Sequence, residues 1–129
     1  MSYHFSKTLD EPFDAVVEKV TAALGEQGFG VLTQIDVGAT LKKKLDVDFR
    51  PYLILGACNP RMAYQALQAE DKIGTMLPCN VIVQEAPDGG GVEVSGIDPI
   101  ASMAAVENES LGEIAGQVRE LMKSVIDSL

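Results

Sequence analysis

The chain has a single histidine, only two cysteines, and ten basic residues against nineteen acidic ones. Each scarcity removes a class of function. One histidine, His4 in a polar strand-like stretch, gives no support to a Ser-His-Asp type of nucleophilic site. Two cysteines without Cys-x-x-Cys spacing lack the thioredoxin-like signature. Together with His4 they fall short of the four ligands that structural zinc takes, unless two protomers pool their thiolates or Asp98 joins. The formal net charge of −9 opposes binding to nucleic acid and to anionic lipid, so neither a nucleic-acid nor a membrane partner is expected. The longest apolar run, Tyr52 to Cys58, is far too short to cross a bilayer. Gly89-Gly90-Gly91 lacks the lysine of a phosphate loop, and Asp36, Asp46 and Asp48 lack calcium-loop spacing. Met1 to Phe5 shows no secretory pattern. A cytoplasmic location is therefore expected, with both cysteines as thiols.

What the chain does have is enough apolar material for one core. At 129 residues, 47% of them hydrophobic, it reads as a single domain, residues 1–129, that buries about two-thirds of its unfolded surface. Alternation around Tyr3, Phe5 and Leu9 predicts a strand over residues 2–8. Asp10 is expected to cap, and Pro12 to begin, a helix over 11–25, with Val16, Val20 and Leu24 inward. Residues 29–37 predict a strand with Phe29, Val31, Thr33, Ile35 and Val37 on one face, broken by Gly38. A short helix over 39–45 follows, its Lys42, Lys43 and Lys44 on a solvated face or, less simply, an anion-binding patch.

Residues 51–58 are apolar on both faces, so this strand should be covered on both sides. Asn59-Pro60 then caps a helix running to Glu70. Strands over 79–85 and 92–97 flank the glycine turn as a hairpin, and Asp98-Pro99 starts a short helical turn. Ser110 with Glu113 suggests a capping box for a last helix carrying Leu111, Ala115, Val118, Met122, Val125 and Ile126. The order β-α-β-β-α-β-β-α predicts an α+β domain, a mainly antiparallel sheet with helices on one face. The apolar second face of residues 52–58 then needs a cover: short helices, a ligand or, the choice favoured here, a second copy in a homodimer.

The chemistry-bearing feature is a repeated Cys-Asn dipeptide, in Gly56-Ala57-Cys58-Asn59-Pro60 and Leu77-Pro78-Cys79-Asn80-Val81. Cys58 directly precedes a helix start, where backbone N–H groups and the helix dipole can favour a thiolate. If its strand neighbours that of Cys79, the two thiols can meet, and even pair if their Cα atoms come within about 7 Å. Both cysteines equally suit a structural role, as small core residues beside loops whose asparagines bond the backbone.

These two segments, with Gly28-Phe29-Gly30-Val31, Ile35-Asp36-Val37, Thr40-Leu41-Lys42, Ile73-Gly74 and Asp98-Pro99, resemble the domain of unknown function 302 family across about residues 3–126. The resemblance implies a two-layer fold of TATA-binding-protein-like type with a curved sheet, and homodimers; it implies no established activity and no cofactor. The resulting expectation is a homodimeric domain binding a small molecule or metal. Its site would be formed by Cys58, Asn59, Cys79, Asn80, Tyr52 and Asp98, with Cys58 and Cys79 as metal candidates. The alternatives are a thiol-dependent redox enzyme using Cys58 and Cys79, and a structural scaffold.

Overall fold

The computed structural model describes residues 2–129. Five strands form one antiparallel sheet: β1 (His4–Leu9), β2 (Gly30–Asp36), β3 (Tyr52–Cys58), β4 (Cys79–Glu85) and β5 (Val92–Ile97), in the order β1-β5-β4-β3-β2. Helices α1 (Phe13–Glu26), α2 (Val37–Leu45), α3 (Pro60–Ala69), α4 (Pro99–Ser102) and α5 (Glu109–Asp127) complete it, with a 3₁₀ turn over Ile73–Met76. No helix of the described residues is long and apolar enough to cross a membrane.

One sheet face is closed by α1 and α5. Their apolar stripes, Val16, Val20 and Leu24 from α1 and Val118, Met122, Val125 and Ile126 from α5, are buried against Leu55, Ala57, Val81, Val83 and Val94. Each such side chain removed from water contributes about 1.5–3 kcal/mol, so this layer carries the stability of the fold. Gly96 is what lets α5 settle so close: a β-carbon there would lie 2.7 Å from the Met122 sulfur. Ile73, Met103, Leu111 and Ala115 form a second cluster under α5 and α3.

Side chains start most of the helices. Asp36 accepts from the Ala39 N–H at 2.9 Å, Asn59 from Met62 at 3.3 Å, Asp98 from Ile100 at 3.0 Å and Asn108 from Leu111 at 3.3 Å. Each bond satisfies an N–H that the first turn leaves unpaired. Three sequence expectations need correction here. Asp10 caps nothing: α1 begins after Pro12, without a side-chain cap. Asn108, and not Ser110, is the cap of α5. Val37 and Gly38 belong to α2 instead of ending the strand, because the Asp36 carboxylate starts the helix there.

The fourth correction concerns β2. Val31 pairs with Ala57 but Thr33 pairs with Gly56, so Leu32 is an extra residue in a bulge. A bulge inverts the alternation beyond it. Val31 therefore shares the helix-side face with Ala57, while Thr33 and Ile35 stand on the opposite face with Gly56 and Ile54.

That opposite face carries no long helix. Its side chains align in cross-strand rows: Ile35, Ile54, Ile82, Ser95 and Ser6 in one, and Tyr52, Gln84, Glu93 and Thr8 in the next. The second side of β3 is thus only partly covered within one chain, with Tyr52 and Ile54 half-buried.

Candidate functional site

The pairing register places the two Cys-Asn motifs at one end of the sheet. Cys79 opens β4 opposite Ala57, and Cys58 follows Ala57 as the last residue of β3. Both cysteines are free thiols, Cys58 half-buried and Cys79 buried. They border one hollow of about 30 Å³ beneath α3 and α5, walled by Phe29, Met62, Ala66, Leu111 and Val118. That volume admits only one or two waters, and its lining is almost wholly apolar.

Burial, aided by the neighbouring Cys58, pushes the Cys79 thiol pKa from 9.0 up to about 11. Removal from water penalises the anion, and nothing positive offsets the penalty. Asn59 is engaged structurally. Its carbonyl caps α3 and its amide donates to the Gln27 carbonyl at 3.4 Å, tying the α1–β2 turn to the start of α3.

A much larger hollow, about 580 Å³, lies on the other face of the sheet. Tyr52, Cys79 and Asn80 border it, together with Tyr3, His4, Met76, Ile82, Gln84, Glu93 and Ser95. Cys79 thus separates the two spaces. Its volume falls in the range of small-molecule sites, about 300–1,000 Å³.

Polar groups on and beside this floor are mutually oriented. Arg50 donates through Nε and Nη2 to the Gln84 Oε1 at 3.0 and 2.8 Å, and the Gln84 amide donates to Glu93 at 3.2 Å. The arginine is itself held over the Phe49 ring, 4.5 Å from its centroid. Across the floor, the Ser6 hydroxyl lies 2.7 Å from His4 Nδ1 and 2.7 Å from the Ser95 hydroxyl.

Asp98 borders neither hollow. It caps α4 and pairs with Arg119 at 3.2 Å, and the Arg119 guanidinium stacks on Phe5 at 5.1 Å. The six residues singled out in the sequence are thus divided among a small apolar hollow, a large open one and a helix cap. The lysine run is solvated: Lys42 pairs with Asp46 at 3.0 Å and with Asp48 at 3.5 Å, all well exposed. Among the described residues, no three His, Cys, Asp or Glu side chains converge as a metal site would need.

Gln84, Glu93 and Ser95 were not foreseen. The signal for them was present in the alternation of β4 and β5, where a buried Gln84 interrupts an apolar strand.

The model of the family described as Domain of unknown function DUF302 matches residues 5–129. The chain belongs to this family. A solved DUF302 structure, an uncharacterized conserved protein from Bacillus stearothermophilus, superimposes with a TM-score of 0.90 at 26% identity, covering 98% of each chain. The DUF302 sheet and its helical layer are therefore shared nearly end to end. No curated protein matches the chain.

Proposed function

We propose that this DUF302 chain is a small homodimeric binding domain that takes a small molecule on the open face of its sheet, beside the Cys-Asn motifs. The observation that carries this reading is the 580 Å³ hollow bordered by Tyr52, Cys79 and Asn80. Its mixture of aromatic, aliphatic and oriented polar groups suits a compact organic ligand. Asn80 is exposed there, and its amide supplies a donor and an acceptor.

In the thiol-enzyme alternative Cys79 would be the resolving partner of Cys58, and the chemistry of Cys79 counts against that role. A thiol with its pKa near 11 is almost wholly protonated at neutral pH, and the protonated form is a poor nucleophile and metal ligand. In this reading Cys79 contributes an apolar edge to the floor, and the Cys58-Asn59 motif holds α3 in place. A metal would need ligands from both protomers.

The second copy is supported by several exposed apolar side chains in β2, α2 and the loop that follows. Leu32 is 67% exposed, Leu45 66%, and Ile35, Val47 and Phe49 between 41% and 48%. Charge favours the same place: residues 29–56 hold Lys42, Lys43, Lys44 and Arg50 against Asp36, Asp46 and Asp48, a net +1, leaving −10 for the rest of a −9 chain. Two copies repel least where that segment meets its equal. A cytoplasmic location belongs to the same reading, since it keeps both thiols reduced.

The test is a titration of isotopically labelled protein with a library of cationic, neutral and anionic fragments, followed by amide shift mapping. The reading predicts shifts grouped on Tyr52, Asn80, Ile82 and Ser95. Shifts grouped instead on Met62, Ala66 and Leu111, or no specific shifts, overturn it.

A further inference from the structure

We propose that the open-face hollow selects an organic cation, an amine or quaternary ammonium on an apolar body, with Glu93 as its anchor. The inference rests on the hollow being a ligand site, and it names the ligand's chemistry.

Glu93 is a half-buried carboxylate on the floor of the hollow. None of the ion pairs among the described residues involves it. Among the described residues, no lysine or arginine borders the hollow, and Glu93 is the one carboxylate on its lining. The nearest guanidinium, that of Arg50, is committed to the Gln84 carbonyl oxygen through two bonds. That commitment fixes the amide's orientation, so its NH₂ points at Glu93. The relay holds the carboxylate in place with a neutral donor, and among the described residues no cationic side chain bonds Glu93 directly. A net charge of −9 over the chain adds to the same field.

An anion entering here meets the Glu93 carboxylate and, among the described residues, no lysine or arginine on the lining. A divalent metal finds one carboxylate where it needs several oxygen ligands. An organic cation finds a charged acceptor for its ammonium, and Tyr52 and Tyr3 as aromatic walls for its body.

The experiment compares three probes of similar size at neutral pH: phenethylammonium, phenylethanol and phenylpropanoate. Binding is followed by calorimetry and by the amide resonances of Gln84, Glu93 and Ser95. The amine is expected to bind at least about tenfold more tightly than the alcohol, as a charged hydrogen bond would give. The carboxylate should bind weakest. In Glu93→Gln the amine and the alcohol should agree within about twofold. The wild-type comparison stands even if that variant is unstable. Equal or tighter binding of phenylpropanoate, or an amine preference unchanged in Glu93→Gln, overturns the cation assignment while leaving the site intact. Absence of shifts at these residues with every probe overturns the site itself, and the assignment with it.

Discussion

Cys79 offers a quantitative test of how the site end of the sheet is built. The thiol lies 9% exposed beside Ala57, and burial, then Cys58, raises its pKa from 9.0 to about 11. Two units correspond to roughly 3 kcal/mol between the protonation states. The sign follows from which state holds the proton. Below about pH 9 the thiol is protonated in both the folded and the unfolded chain, and the stabilisation is fully present. Between about pH 9 and 11 the unfolded chain releases the proton while the folded one keeps it. Stability then falls with rising pH by up to about 1.4 kcal/mol per unit, and the loss is complete above about 11.

Urea unfolding across that range, for the wild type and Cys79→Ala, isolates this group from the tyrosines and lysines that titrate nearby. The wild type should lose roughly 3 kcal/mol more than the variant. In a Cys58→Ser background, which leaves burial as the cause of the shift, alkylation of Cys79 near pH 8 should run well below that of an unshifted thiol, before any steric protection. Parallel stability curves, or alkylation at the rate of a free cysteine, would refute the burial argument and reopen the thiol-enzyme reading.

Three further substitutions probe other joints of the structure. Gly56→Ala places a β-carbon against the Thr33 hydroxyl and 2.8 Å from the rigid Pro78 ring, and should cost about 1–3 kcal/mol in denaturant unfolding; a neutral result would mean the β2 bulge yields freely. Asn108→Ala removes both the cap on Leu111 and a 2.8 Å bond to the Ala69 carbonyl, so a loss of about 1–2 kcal/mol is expected from thermal unfolding. Changing Leu32 and Val47 together to serine should convert a dimer to a monomer in sedimentation equilibrium with far-UV circular dichroism unchanged; an unaltered mass would place the dimer contact elsewhere.

Much of the fold was legible because burial writes a period into the chain. The helices with a single inward stripe, Val16-Val20-Leu24 and Leu111-Ala115-Val118-Met122, fall where 3.6-residue spacing puts them. Asn59-Pro60 and Asp98-Pro99 could be read as helix starts since their mechanism is local. Local signals also misled. Asp10 and Ser110 are good cap residues two positions from the true cap positions, and only the tertiary path decides which candidate is used. The bulge at Leu32 could not be inferred, because it depends on how Thr33 and Gly56 meet across two strands.

The site was less legible for a similar reason. Cys58, Asn59, Cys79 and Asn80 stand out as a repeated dipeptide, yet pleating sends Cys79 and Asn80 to opposite faces. The Arg50–Gln84–Glu93 relay joins a loop and two strands across 43 residues of sequence. No short motif records such a row; it exists only once the register is known.

The central claim is that the open face of the sheet, and not the paired thiols, is the functional surface. Ile82→Trp tests it most directly. Ile82 sits mid-sheet between Ile54 and Ser95, on the floor of the large hollow, so an indole there fills the space without touching the core under α1 and α5. With thermal stability retained, phenethylammonium should no longer bind or shift Tyr52 and Ser95. Binding that persists at wild-type strength in the plugged variant would contradict the account.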